Sequence, residues 1–209
     1  MIAQPVLQTD RLLLVPLAER HLDLEIELDS DTEVLRYIWG RARTPDEVAE
    51  DHAERMALGR KFPGLGYWAA FGTDGGARDS HRPSTEEAGH FVGLMMLPPA
   101  HRRGQPEDPG VASLGYRIVR RCWRQGLATE ASRTLLRHAF DTVGVRRVVA
   151  QTMAVNAGSR GVMSALGMSH VRTVFHDWDE PVRGSELGDV EYELTLAEWR
   201  RRRSTTSWA

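Results

Sequence analysis

The chain has 209 residues, 41% hydrophobic and 27% charged, with Lys+Arg of 27 against Asp+Glu of 29 and a formal net charge of -2. That is the composition of an ordinary globular protein of one sizeable domain, or two small ones, and it excludes the whole-protein basic field of a general nucleic-acid binder. Cys122 is the single cysteine, which excludes an intramolecular disulfide and fits a reducing compartment.

No basic segment followed by an apolar one opens the chain, and no apolar run reaches membrane-spanning length, so a soluble, cytoplasmic protein is expected. The basic residues are almost all arginine, which suits bidentate contacts to phosphate or carboxylate and equally suits a GC-rich genome.

In chain order, "RLLLVP" (Arg11–Pro16) reads as a strand that Pro16 closes. From Leu17 to about Trp39 apolar residues recur at helical spacing, and the run Asp29–Asp31 divides them into two helices. Thr44, Pro45 and Glu47 make a capping-box start for a helix to about Gly59. Gly66–Gly72 and His90–Leu97 read as hairpin partners around a long polar loop, Thr73–Gly89. Pro98–Gly110 is a second irregular segment, and Val111–Val119 a further strand.

Leu127, Ala131, Leu135, Leu136, Ala139, Phe140 and Val143 then line one helix face that Gly144 ends. Val145–Ala154 is a strand and Asn156–Gly167 a short helix. Ser169–Trp178 and Asp189–Leu196 are two closing strands, and the arginine run after Trp199 is a solvated tail. A long helix between two strands implies a parallel crossover, while the earlier strands, joined without helices, are antiparallel. The expected architecture is a single mixed α/β domain spanning 1–209, with a core of about 8–199 and a tail of 200–209. Its sheet is largely antiparallel and twisted, with about six to seven strands and helices on both faces.

The chemistry concentrates in "RIVRRCWRQGLATEA". A helix starting near Gln125 leaves its first N–H groups without partners at the positive end of its dipole, which suits anionic oxygens. Gly126 lets the backbone approach closely and Ala128 obstructs nothing. The turn is neither G-x-G-x-x-G nor a Walker sequence, so nucleotide folds lose support, and such a turn alone is also an ordinary strand–helix connection. Asn156 to Ser159 opens a second helix after the next strand, at the sheet edge where open α/β sheets place ligands. Cys122 reads as a small buried hydrophobe beside Trp123. The histidines lack paired zinc spacing, and Ser159 lacks a hydrolase elbow.

Four segments in order resemble the GNAT superfamily of N-acetyltransferases, in particular its RimJ/RimL-type branch. "TDRLLLVPL" is similar to the branch's opening strand, "SLGYRIVRRCWRQGLATEA" to its glycine-tyrosine and turn signature, "NAGSRGVMSALGM" to its N-x-x-S helix, and "DVEYELTLAEW" to its final strand. The resemblance implies acetyl-CoA as cosubstrate, with its pyrophosphate on the amides of Arg124, Gln125, Gly126, Leu127, Ala128 and Thr129. It places the pantetheine along the backbone of Arg117, Ile118 and Val119, with Asn156 and Ser159 near the pantetheine and thiol. No metal is expected.

An amine attacking a thioester needs a neutral amine, oxyanion stabilisation and a proton for the leaving thiolate; backbone N–H groups can serve the oxyanion. Ser159 is the expected proton donor, since the family's helix tyrosine is replaced by Met163. The resemblance places the base in "FHDWDE", where Asp177, Asp179 and His176 qualify and Asp177 is preferred. The glutamate common before "LGY" is Ser113 here. The expected function is acetyl transfer to a primary amine, of a protein N-terminus or a small molecule, by direct attack in a ternary complex. The alternative is a catalytically inactive CoA-binding sensor. Neither nucleic acid nor membrane is an expected partner, and the protein is expected to be a monomer or homodimer.

Overall fold

The computed structural model describes residues 4–73, 89–101, 108–176 and 181–205. An antiparallel sheet is built from β1 (Leu7–Gln8), β2 (Leu12–Pro16), β3 (Gly66–Gly72), β4 (Phe91–Leu97) and β7 (Gly115–Ile118), in that spatial order. A second sheet has the order β5 (Pro99–Ala100), β6 (Asp108–Ser113), β8 (Arg147–Met153), β10 (Asp189–Thr195) and β9 (Ser169–Val174). The crossover from β6 to β8 is parallel, as the intervening helix requires. The mixed α/β class therefore holds, but the sheet is divided in two.

The division falls inside the segment read from sequence as one strand, Val111–Val119. Ser113 pairs with Val149 of β8 and Leu114 N–H donates to Val149 O at 2.8 Å, whereas from Gly115 onward the chain pairs with β4. Beyond Leu114, β7 and β8 part, and a cleft opens between them.

Helices cover both faces of the first sheet. Successive strand residues point to opposite faces, so Tyr67 meets Arg55 of α2 (Pro45–Lys61) on one side. Trp68, fully buried, packs edge-on to His138 on the other. His138 opens the π-helical turn His138–Val143 that extends α3 (Leu127–Arg137), and Gly144, at φ 81°, ends it. Ala131, Leu135 and Leu136 of α3 are fully buried with Leu94 and Leu97 of β4 in one core. Each of these leucines contributes roughly 1.5–3 kcal/mol, and Leu135→Ala would cost about 2–5 kcal/mol.

The capping box at Thr44 and Glu47 is present, and α2 continues to Lys61. The two helices expected before it are one: α1 (Leu22–Ser30) follows a 3-10 turn, and Asp31–Gly40 is a series of turns. There Asp31 Oδ1 accepts from Glu33 N–H, and Leu35 O accepts from the N–H groups of Ile38, Trp39 and Gly40, so local capping replaces a helical ladder. The arginine run is also helical: α5 (Leu196–Thr205) stacks Trp199 on Phe140 at 5.4 Å, and the Trp199 indole donates to Asp141 at 2.9 Å. Among the described residues no helix is long and apolar enough to cross a membrane.

Candidate active site

The cleft is lined by backbone whose direction the hydrogen bonds define. Leu114 N–H points to β8 and Val119 N–H donates to Val92 O at 2.9 Å, toward β4. Strand alternation then turns the backbone groups of Tyr116 and Ile118 into the cleft and those of Arg117 toward β4. A Cβ on Gly93 would lie 2.1 Å from Arg117 O, so this close approach requires glycine. Of the three residues expected to offer backbone, Ile118 alone faces the opening, and its carbonyl accepts the Trp123 indole at 2.7 Å. The Arg117 side chain is buried on the far face and pairs with Asp29 of α1.

The turn into α3 has two left-handed residues, Arg124 at φ 59° and Gly126 at φ 78°. A Cβ on Gly126 would meet nothing closer than Arg11 at 3.6 Å, so the φ angle, not space, calls for glycine. The first helical bond is Glu130 N–H to Gly126 O, and Gly126 provides no side-chain cap. The N–H groups of Leu127, Ala128 and Thr129 therefore have no intrahelical acceptor, at the positive end of the dipole. Gln125 braces the turn: its side-chain carboxamide Nε2 donates to Arg121 O at 2.9 Å, and its backbone carbonyl accepts from Arg11 at 3.0 Å. Glu130 sits in the same first turn but is neutralised by Arg11 at 2.6 Å. Burial opposes ionisation there, yet hydrogen bonds from Thr9 and Arg11 hold its carboxyl below the usual range. The turn thus presents amides and the exposed Arg124 to an anion.

At the other helix entry, α4 (Ala157–Ala165), Asn156 is the cap. Its Oδ1 accepts from Ser159 N–H at 3.1 Å and its Nδ2 donates to Thr152 Oγ1 at 3.0 Å, so both ends of the carboxamide are occupied. Ser159 is joined by a residue that sequence reasoning missed: Tyr116 Oη lies 3.0 Å from Ser159 Oγ and 3.1 Å from Ser159 O, bridging the cleft from β7 to α4. Burial pushes the Tyr116 phenol up to about 12, against the Ser159 hydrogen bond, so it stays protonated at neutral pH. Met163, in the place of the family's helix tyrosine, is buried. The "LGY" motif names Tyr116, but only the fold brings it to Ser159, 43 positions away.

Asp177 and Asp179 lie outside the described residues. Asp108 is paired with Arg146, whose hydrogen bonds hold its carboxyl low. Cys122 is buried, and burial raises its thiol, which removes it as a nucleophile. His176 is 3.4 Å from Asp189.

Bare helix amides for an anionic arm, a strand edge beside them and a neutral phenol across the cleft together suit transfer of an acyl group from a phosphate-bearing carrier. The family description "Acetyltransferase (GNAT) domain" matches residues 11–169. The chain is 36% identical to the FsC-acetyl coenzyme A-N(2)-transacetylase of Aspergillus fumigatus, over 95% of this chain and 80% of that protein. It is 27% identical to the uncharacterized N-acetyltransferase YoaA of Bacillus subtilis, over 78% and 82%. Among solved structures, a GNAT-family acetyltransferase from Bacillus anthracis superposes with a TM-score of 0.67 at 17% identity, covering 93% of this chain and all of that one. RimL, an alpha-N-protein acetyltransferase in complex with coenzyme A, gives 0.68 at 16% identity, over 93% and 98%. The chain belongs to the GNAT family of acetyltransferases, whose acetyl donor is acetyl-CoA. Its activity is N-acetyl transfer.

Proposed function

We propose that the protein transfers acetyl from acetyl-CoA to a primary amine by direct attack in a ternary complex, as a RimJ/RimL-type enzyme. The observation that carries this reading is the uncapped start of α3 beside a cleft that the Tyr116–Ser159 pair spans. The amides of Leu127, Ala128 and Thr129, with Arg124 at the rim, hold the pyrophosphate, and the cleft-facing N–H groups of Tyr116 and Ile118 receive the pantetheine. Acetyl-CoA supplies the activated thioester. Tyr116, positioned by Ser159, returns a proton to the departing thiolate, a transfer its intact phenol allows near neutral pH. The sequence motif names Asp177 as one candidate base, and the reading of the reaction as acetyl transfer does not depend on which acid takes the amine's proton.

The likeness to RimL at 16% identity is one of fold, whereas the 36% identical relative is named for acetyl transfer to the N(2) nitrogen of FsC. That favours a small-molecule amine over a protein N-terminus. The test is calorimetric titration with acetyl-CoA followed by thiol release over a panel of small amines, FsC and N-terminal peptides. The expected result is tight binding and turnover on a small amine. Binding without turnover on any acceptor would convert the reading to a CoA sensor.

A further inference from the structure

The face of the sheet that carries Arg117 also carries a row of carboxylates. Val149, Gln151 and Met153 of β8 share it, because Ser113, which alternates with Tyr116, pairs with Val149. Their partners on β10 are Glu193, Glu191 and Asp189. The cofactor turn and Ser159 serve the opposite face, so an amine that attacks directly reaches the thioester from this one. Asp189 stands opposite Met153 at the C-terminal end of β8, the end at which β7 and β8 part.

The carboxylates of this face differ in their partners. Glu193 pairs with Arg147 at 3.3 Å, Glu191 with Arg172 at 2.8 Å, Asp29 with Arg117, and Glu25 with Arg55 at 3.1 Å. Each has a guanidinium as its partner, so an ion pair already occupies the carboxylate that an incoming ammonium would have to reach. Asp189 instead faces an amide and an imidazole, Gln151 Nε2 at 3.4 Å and His176 Nε2 at 3.4 Å, with its side chain 20% exposed. Burial raises its carboxyl above the usual range, although His176 and Gln151 pull the other way. A carboxylate shifted in that direction is better matched to accepting a proton near neutrality.

Apolar side chains lie on the segments next to Asp189 and on the segment after α1. Gly40 of the segment after α1 packs against Val182, and the ring of Phe175 lies against Gly188, next to Asp189 in the chain. Ile38, Trp39, Phe175 and Leu187 on these same segments are exposed large apolar side chains, with Phe175 at 70%. A carboxylate next in the chain to a glycine that the exposed Phe175 ring touches suits an ammonium group borne on an apolar or aromatic carbon.

We propose that Asp189, oriented by Gln151 and His176, binds the ammonium of the acceptor and takes its proton. The N–H bond breaks as an O–H bond forms on the Asp189 carboxylate, leaving the amine lone pair free to attack the thioester carbon. The C–S bond then breaks, and of the two protons the nitrogen loses in all, one is returned to the thiolate through Tyr116 and one leaves to solvent from Asp189. This inference rests on the acetyltransferase reading above.

The experiment compares wild type, Asp189→Asn and Asp177→Asn with the best small amine of the panel, and in parallel titrates carbon-13-aspartate-labelled protein with benzylamine. In Asp189→Asn, kcat/KM for the amine is expected to fall about 10²-fold near neutral pH. Acetyl-CoA affinity should stay within about twofold, and the deficit should shrink as rising pH makes the free amine neutral. A loss equal at every pH, or a loss in Asp177→Asn with Asp189→Asn active, overturns the proposal. Benzylammonium is expected to shift the Asp189 side-chain carboxyl signal, identified by its disappearance in Asp189→Asn; an unmoved signal also overturns it. A wild type that binds acetyl-CoA yet acetylates nothing defeats the acetyltransferase reading, and the carboxyl signal still decides for or against Asp189.

Discussion

At the start of α4 the Asn156 carboxamide takes the Ser159 N–H at 3.1 Å, whereas at the start of α3 Gly126 offers its helix no side-chain oxygen. Both helices begin at the same edge of the sheet and both follow a strand that borders the cleft. One satisfies its own amides and holds a hydroxyl in place; the other keeps its amides for a ligand. An N-terminal dipole is common to both, so the missing cap is what turns a helix start into an anion site.

That contrast can be broken at either helix. The largest effect is expected for Tyr116→Phe, which removes the proton that Ser159 positions: kcat should fall about 10²-fold with acetyl-CoA affinity unchanged. Steady-state kinetics beside calorimetry would separate the two quantities. Arg124→Glu places a like charge at the rim of the uncapped turn and should weaken acetyl-CoA binding about tenfold, less at high salt because Arg124 is exposed. Equal affinity at low salt would remove Arg124 from the site. Asn156→Ala strips the cap from α4 and should lower unfolding free energy by about 1 kcal/mol in urea melts, while acetyl-CoA affinity holds. A large affinity loss there would mean that the two helix starts share the ligand after all. Smallest is Arg124→Gly, which relieves a left-handed side chain and should raise stability by roughly 0.5–1 kcal/mol, while losing part of the affinity that Arg124→Glu loses.

Local signals in the sequence carried most of the fold. Thr44, Pro45 and Glu47 specify a helix start through contacts three residues apart, and the structure forms it there. The strand Gly66–Gly72 coincides with its apolar run. What local pattern could not carry was the change of partner at Leu114: the apolar run from Val111 to Val119 is the same whether it pairs with one neighbour or passes from one sheet to another. The glycine turn was legible because φ and helix phase are local properties. Tyr116 was not, because its partner is supplied by a distant helix. Asp189 was hidden for a different reason. "DVEYEL" reads as a strand with an alternating polar face, and nothing in that alternation distinguishes the acid facing His176 from the acids facing arginines.

Arg11 joins the first long strand to the turn that precedes α3, reaching both Gln125 O and Glu130, while Thr9 reaches Glu130 at 2.5 Å. The anion-binding amides are therefore braced by residues more than a hundred positions earlier in the chain. Opening of the N-terminal edge and loosening of the turn before α3 should then proceed as one event, with occupancy of the turn slowing hydrogen exchange in β2. Loosening Arg11 would be felt as a weaker grip on the cofactor before any loss of fold.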